Sequence, residues 1–104
     1  MRGFFALTGL LFLVACGDGA VDDIREIASM SEDADKNLDA FTDSIRALSE
    51  KPGCSLDAMR EHGGFWRVAD APLYFIYCGN PAQKSNRWYF NPRSGEVSQN
   101  KAGL

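Results

Sequence analysis

The chain has 104 residues, of which 45% are hydrophobic, 24% charged and 12% aromatic. That length allows one small domain and excludes a second, because an independent core usually needs about 50 residues or more. The net charge of −3 argues against a nucleic-acid partner, since nucleic-acid binding normally requires a basic face.

The first fifteen residues have the pattern of an export signal. Arg2 supplies a positive charge, and an apolar run from Phe4 to Val14 follows, interrupted only by one threonine and one glycine. Such a run suits a signal peptide and is too short to span a bilayer core of about 30 Å, which takes about 20 residues. Residues 1–15 are therefore predicted to be a signal peptide that is removed.

The end of this segment, Leu13-Val14-Ala15-Cys16, resembles the lipobox of bacterial lipoproteins. The resemblance implies that the Cys16 thiol carries diacylglycerol, that the signal is cut just before it, and that the new amino terminus is acylated. Several acyl chains at ~0.8 kcal/mol per CH₂ would make attachment to the lipid bilayer effectively permanent. The alternative is an ordinary secretory signal with a chance cysteine at its cleavage site.

The residue after Cys16 bears on the location of the protein. In the Gram-negative lipoproteins that the motif resembles, aspartate at that position tends to retain the protein in the inner membrane. Here the position is Gly17, with Asp18 one further on. The resemblance therefore implies an anchor facing the periplasm, with the outer membrane favoured over the inner, and residues 16–20 are predicted to be the lipidated tether.

Two cysteines remain once Cys16 is assigned to lipid. Cys54 and Cys78 are an even pair in an oxidising compartment and predict a disulfide. Closing a loop of about 25 residues should stabilise the domain by about 3.5 kcal/mol in the chain-entropy model. A metal or redox site is disfavoured, because there is no CxxC pair and His62 is the only histidine. We expect no metal and no cofactor.

Residues 21–50 are predicted to form a long amphipathic helix that acts as a stalk. Its later apolar positions recur at steps of four and three, the spacing of one helix face: Ala34, Leu38, Phe41, Ile45 and Leu48. A Pro-Gly pair follows and stops the helix. Ser29 and Glu32 have the spacing of a capping box, so a break into two helices near Met30 is the alternative.

An unbroken helix from Val21 to Leu48 would be about 42 Å long, more than twice the length of a typical strand of about 17 Å. We therefore expect Leu38 to Leu48 to pack on a sheet while Val21 to Ala34 extends toward the membrane. The apolar face of this helix forms a seam through which two copies of the chain could pair as a homodimer. Ser31 and Ala34, in the middle of the seam, contribute little apolar contact, so we expect the homodimer to form only under some conditions.

Charge is distributed unevenly along the chain. Residues 17–50 carry 10 acids and 3 bases, whereas residues 51–104 carry 4 acids and 7 bases. The simpler explanation is a solvated acidic helix face. The alternative is that the acidic stalk repels anionic headgroups and peptidoglycan carboxylates and so holds the basic half outward.

Residues 51–98 are predicted to form a small antiparallel meander of three or four strands, which makes the fold class α+β. Ser55 can cap a short helix through Arg60. Segments rich in aromatic and β-branched residues and bounded by turn residues then follow at 65–69, 73–78, 87–90 and 96–98. Residues 99–104 are predicted to be a flexible polar tail.

Two strand registers give simple turns, with Val68 opposite Leu73 and Tyr77 opposite Trp88. The face that these registers place under the helix is almost wholly apolar: Trp66, Val68, Leu73, Phe75, Tyr77, Trp88, Phe90 and Val97. The opposite face mixes two arginines with aromatic rings: Phe65, Arg67, Tyr74, Ile76, Cys78, Arg87 and Tyr89.

The second face supplies the candidate binding residues, Arg67, Tyr74, Arg87 and Tyr89. Arginine and tyrosine give large contact areas at low entropic cost, and arginine can grip a carboxylate with two parallel bonds. The alternative is that the two arginines are neighbours that merely keep the open face soluble, with the 79–86 loop folded over the rings.

No arrangement of residues predicts catalysis. His62 is expected to end the short helix rather than to act as a base, and no P-loop, dinucleotide fingerprint or HExxH motif is present. We therefore expect a non-catalytic accessory module that holds an envelope protein partner. Two alternatives are an inhibitor, immunity or exclusion lipoprotein and a binder of an anionic glycan fragment.

Overall fold

The computed structural model describes residues 22–69 and 72–104 of the chain. The predicted signal peptide, the lipidation site at Cys16 and the tether lie outside the described residues. Within the described ranges, no helix is long and apolar enough to cross a membrane.

The described chain is an α+β domain with an antiparallel sheet, as predicted, and it has three α-helices and four strands. The helices are α1 (22–29), α2 (Ala34–Leu48) and α3 (Leu56–Glu61). The strands are β1 (Phe65–Arg67), β2 (Tyr74–Tyr77), β3 (Arg87–Asn91) and β4 (Glu96–Ser98). The strands pair in the order β1-β2-β3-β4, and 3-10 turns lie at Lys84–Asn86 and Lys101–Gly103.

The single long helix predicted from 21 to 48 is wrong, because the chain turns between α1 and α2. The turn lies along the outer edge of β1, where Glu32 N–H donates to the Phe65 carbonyl at 2.9 Å and Phe65 N–H donates to Ser31 Oγ at 2.8 Å. Asp33 then adopts φ 57°, ψ 30°, which reverses the chain before α2. Backbone groups of an edge strand need partners, and this segment supplies them instead of continuing the helix.

The break near Met30, given above as the alternative, is therefore found, but it does not arise from a capping box. The Ser29 hydroxyl donates to the Glu26 carbonyl at 2.7 Å within α1. The Glu32 carboxylate accepts from Arg67 N–H at 2.7 Å. The spacing was informative about the position of the break, whereas contacts with β1 determine its geometry.

The hydrophobic core lies between the helices and one face of the sheet. Its main members come from every helix and from the first three strands: Ile24, Ile27, Ala28, Phe41, Ile45, Leu48, Met59, Phe65, Tyr74, Ile76 and Phe90. The expectation that α1 extends away from the sheet is wrong, because its apolar side chains are buried in this core. Most of the apolar helix residues that were expected to form a homodimer seam are buried in this same core.

The predicted disulfide between Cys54 and Cys78 is confirmed, with the two Cα atoms 4.3 Å apart. Ser55 N–H also donates to the Cys78 carbonyl at 3.0 Å. The Ser55 hydroxyl caps α3 as predicted, accepting from Ala58 N–H at 3.1 Å. The start of α3 is thus fixed to the end of β2 by a covalent bond and a hydrogen bond.

The register between β1 and β2 is the predicted one, and Val68 N–H donates to the Leu73 carbonyl at 3.0 Å. The register between β2 and β3 differs by one residue, because Tyr77 lies opposite Arg87 rather than Trp88. The 3-10 turn before β3 sets this pairing, since Cys78 N–H donates to the carbonyl of Asn86 at the end of that turn, at 2.9 Å.

The two sheet faces therefore differ from those predicted. The face toward the helices carries Phe65, Arg67, Tyr74, Ile76, Trp88, Phe90 and Val97, and the other carries Trp66, Phe75, Tyr77, Arg87, Tyr89 and Ser98. Strands β1 and β2 are turned over relative to the prediction, whereas β3 has the predicted orientation. Both faces of β1 and β2 are apolar enough to form a core, so alternation alone did not distinguish them.

A buried hydroxyl on α2 gives a first testable prediction. Ser44 is 6% exposed, and its Oγ has no hydrogen-bond partner in the described chain. Alanine removes the unsatisfied hydroxyl and favours helix, so Ser44→Ala is expected to raise the free energy of unfolding by about 1 kcal/mol. Urea unfolding measures the change. Thr42→Ala is the control and should lower stability, because the Thr42 hydroxyl donates to the Leu38 carbonyl at 2.7 Å. A destabilised Ser44→Ala protein would contradict the prediction.

Candidate functional site

The structure separates the four predicted binding residues into two pairs. Arg67 and Tyr74 lie on the sheet face toward the helices, and Arg87 and Tyr89 lie on the opposite face. The two arginines are therefore not neighbours, and each pair has its own surroundings.

Arg67 and Tyr74 converge on the turn between α1 and α2. Arg67 Nε donates to Asp33 Oδ2 at 3.0 Å, and the Tyr74 hydroxyl donates to the same oxygen at 2.8 Å. The hydrogen bond from Tyr74 is the largest cause of a lowered Asp33 pKa, and the charge of Arg67 acts in the same direction. These contacts hold the turn between the helices against β1 and β2, so both side chains are engaged within the domain.

This cluster predicts how stability depends on pH. Because folding lowers the pKa of Asp33 below its ordinary 3.8, its stabilising contribution is complete above that value and is lost as the pH falls through the folded-state pKa. Asp33→Asn should therefore be less stable than the parent at pH 7, and the difference should shrink below about pH 4. Asparagine tolerates positive φ, so the backbone cost of this substitution is small. Urea unfolding between pH 7 and pH 2 measures the effect, with exposed Glu50→Gln as control. A difference that persists unchanged to pH 2 would contradict it.

The opposite side of the sheet carries a continuous group of aromatic side chains and one arginine. We call Trp66, Phe75, Tyr77, Arg87 and Tyr89 the outer aromatic face. Trp66, Phe75 and Tyr89 lie opposite one another across three strands, and Tyr77 pairs with Arg87. The Phe75 ring meets Tyr77 edge-on at 5.3 Å and Tyr89 at 6.3 Å between centroids. Alternation along each strand brings these rings to one face.

Arg87 is held in a fixed position on this face. Its guanidinium carbon lies 4.4 Å from the centre of the Phe75 ring and 5.3 Å from that of Tyr77. Nε and Nη2 donate to the Tyr77 hydroxyl at 3.2 and 3.0 Å. Hydrogen bonds with Tyr89 and then with Tyr77 raise the pKa of Arg87 above its already high ordinary value. The face therefore presents a permanent, oriented positive charge among aromatic rings.

Trp66 lies at one side of the outer aromatic face, next to the end of α3. Its side chain is anchored by a bond from Nε1 to the His62 carbonyl at 2.9 Å, yet the residue remains 44% exposed. A Cβ on Gly63, where φ is +86°, would lie 3.2 Å from the indole ring, so this position favours glycine for two reasons. His62 ends α3 as expected and meets Tyr77 edge-on at 5.7 Å.

The predicted binding face shares Arg87 and Tyr89 with the outer aromatic face and lacks its other three members. Trp66, Phe75 and Tyr77 were predicted to lie under the helix. Arginine and aromatic residues are again combined on the outer aromatic face, where Trp66 is 44% exposed and Tyr89 is 8% exposed. The segment 79–86 joins β2 to β3 and determines that Tyr77 pairs with Arg87. This pairing decides which residues of the two strands share the face.

Within residues 22–69 and 72–104, no group of three or more histidine, cysteine, aspartate or glutamate side chains is placed to hold a metal ion. Comparison of the chain with protein-family models, curated proteins and solved structures gives no match. The function is therefore inferred from the residues of this domain.

Proposed function

We propose that this protein is a small, non-catalytic interaction module of the bacterial cell envelope, anchored by lipid at Cys16. The outer aromatic face holds an envelope protein partner. The observation that carries the proposal is the exposed indole of Trp66, which lies opposite Phe75 and shares with Tyr77 and Arg87 the sheet face away from the helices.

The location rests on two independent features. The lipobox-like segment ending at Cys16 supports lipid attachment on the periplasmic side, and Gly17 favours the outer membrane. The disulfide between Cys54 and Cys78 fits the same compartment, because disulfides persist where thiols are oxidised. A lipid anchor and a disulfide together support a protein that works outside the cytoplasm.

The choice of the outer aromatic face rests on the energetics of protein interfaces. Tryptophan, tyrosine and arginine dominate the residues that carry binding energy, and rings that are ordered before binding lose little entropy when a partner docks. Trp66 is anchored through its indole N–H, and Arg87 is anchored by the Tyr77 hydroxyl. The face is thus largely preorganised. The helices cover the opposite face, whereas on this one Trp66 is 44% exposed and Tyr89 is 8% exposed, so Trp66 is its main accessible ring.

Crosslinking and purification of the native, lipidated protein from membranes tests the proposal. We expect one stoichiometric envelope partner, and Trp66→Ala should reduce its recovery by about 10-fold or more, the effect of losing an interfacial tryptophan. Met30→Ala is the matched control, because Met30 is 45% exposed and lies on the turn between α1 and α2. A Cys16→Ser form controls for location.

Three results would contradict the proposal. Undiminished recovery of the partner by the Trp66→Ala protein would exclude the outer aromatic face as the docking surface. Equal losses for Trp66→Ala and Met30→Ala would indicate non-specific hydrophobic capture. If crosslinks form only between copies of this chain, the protein forms a homodimer instead of binding a different envelope protein.

A further inference from the structure

A shallow depression adjoins the outer aromatic face, between the start of β3, the 3-10 turn before it and the last residues of the chain. Arg87 and Tyr89 belong to both the face and the depression. Lys84 and Lys101 also line it, whereas no aspartate or glutamate is among its described lining residues. We call Lys84, Arg87, Tyr89 and Lys101 the basic depression.

Arg87 differs from most arginines of the domain in its partners. Four others each have a carboxylate within 4.0 Å: Arg25, Arg46, Arg60 and Arg67. Arg87 instead donates to the Tyr77 hydroxyl and lies over two aromatic rings, and none of the described carboxylates forms an ion pair with it. Tyrosine hydroxyls orient the guanidinium without neutralising it, so its positive charge remains available to an incoming anion.

A second cation lies close to Arg87 in the chain. Lys84 opens the 3-10 turn that leads directly into β3, and it is exposed. Both side chains line the same depression although they belong to different elements. The half of the chain from residue 51 onward is also net basic, with 7 bases and 4 acids. Two cationic groups that line one depression in a basic half suit a ligand with at least two negative charges.

We propose that the basic depression binds the carboxylates of an acidic segment of the partner protein. This inference rests on the proposed function and deepens it. Because Nε and one N–H of Nη2 donate to the Tyr77 hydroxyl, Arg87 binds one carboxylate through its remaining Nη1 and Nη2 N–H groups, and Lys84 pairs with a second. The Arg87 guanidinium lies over the Phe75 ring, which shields one of its faces from water and strengthens the first pair.

A protein segment is chosen as the occupant because the depression and the outer aromatic face are continuous through Arg87 and Tyr89. A partner that covers the aromatic rings places its own chain next to the two cations. Acidic side chains at that point would make the partner complementary to this surface in charge as well as in apolar contact. The same complementarity predicts that association weakens as ionic strength rises.

Titration of the exported, disulfide-bonded protein with a capped peptide of eight glutamates tests the inference. We expect calorimetry to detect binding of this peptide. In the NMR spectrum, the amide signals of Lys84, Arg87 and Tyr89 should shift. A capped peptide of eight glutamines should bind at least about 10-fold more weakly, because it lacks the charges. Arg87→Gln should weaken binding of the glutamate peptide by about 10- to 100-fold.

The variants separate a specific site from general charge. Arg93→Gln is the matched control, because Arg93 is exposed in the turn between β3 and β4 and its loss changes the net charge equally. It should weaken binding less than about 3-fold at 0.15 M salt. Lys84→Gln changes an exposed side chain outside the strands and should weaken binding several-fold, so the inference stays testable if Arg87→Gln misfolds.

The inference is overturned if the glutamate and glutamine peptides bind equally, or if Arg87→Gln and Arg93→Gln have equal effects. Tighter binding of an oligogalacturonate than of the glutamate peptide would also overturn it, in favour of an anionic glycan. A partner that is lost on Trp66→Ala but unaffected by Arg87→Gln would leave the proposed function standing without this site. Peptide binding with no recoverable partner would instead contradict the proposed function.

Discussion

Replacing Phe41 with alanine is expected to lower the free energy of unfolding by about 3–5 kcal/mol, the usual cost of deleting a buried aromatic ring. Phe41 lies on α2 and is fully buried. Its ring stacks on Phe65 at 4.6 Å, meets Tyr74 edge-on at 5.1 Å and lies 6.1 Å from Phe90. One side chain therefore joins α2 to three strands.

Such a loss would be severe in a domain of this size. Small domains are typically stable by only about 5–15 kcal/mol, so the Phe41→Ala protein is expected to be partly unfolded at modest urea concentrations. Urea unfolding followed by far-ultraviolet circular dichroism gives the change, with the slope against urea unaltered if the unfolded state is unaffected. Met30→Ala, at an exposed position, should stay within about 0.5 kcal/mol of the parent. A loss below 1 kcal/mol for Phe41→Ala would show that the ring is not central to the core.

Removal of the disulfide is the second large effect. The double variant Cys54→Ala and Cys78→Ala is expected to lower the free energy of unfolding by about 3.5 kcal/mol. The bridge joins two residues that are 24 positions apart in the sequence, and the loop that it closes restricts the unfolded chain. Alanine is chosen because Cys78 is buried among apolar side chains. In the folded state the bridge ties the start of α3 to the end of β2, next to the outer aromatic face.

The measurement compares three samples in urea: the oxidised parent, the parent with a reducing agent and the double variant. The last two should unfold at similar urea concentrations, both well below the oxidised parent. The double variant should not respond to the reducing agent, which provides an internal control. A difference of less than 1 kcal/mol between the oxidised parent and the double variant would contradict the stabilising role of the bridge.

Features that depend on nearby residues were predictable from the sequence. Ser55 caps α3 through a hydroxyl bonded to the third residue beyond it, a rule that operates within one turn of helix. The turn before β4 also follows local chemistry, with Gly95 at φ +80° and its N–H bonded to the Asn91 carbonyl at 2.8 Å. The pairing of Cys54 with Cys78 followed from counting the cysteines that remain after Cys16.

The break between α1 and α2 was predictable only as an alternative. Apolar spacing continues across Ser31 and Ala34, so the helical pattern alone gives no reason to stop. The competing partners are the backbone groups of Phe65 and Arg67, more than 30 residues away, and they bond to Ser31 and Glu32. The backbone groups at the edge of a distant strand need hydrogen-bond partners, and a local sequence pattern carries no information about that need.

The sequence by itself determined the α+β class, the meander, the disulfide and the presence of a sheet face that combines aromatic rings with an arginine. The tertiary structure decided which residues form that face. Both sides of β1 and β2 carry large apolar side chains, so their orientation depended on which side packed against Phe41 and the rest of the helical layer. The pairing of β3 depended on the turn that places Arg87 opposite Tyr77. Because successive side chains of a strand point to opposite faces of the sheet, a one-residue change of register moves each side chain to the other face. The kinds of residue on the face were therefore predictable, whereas the particular residues were not.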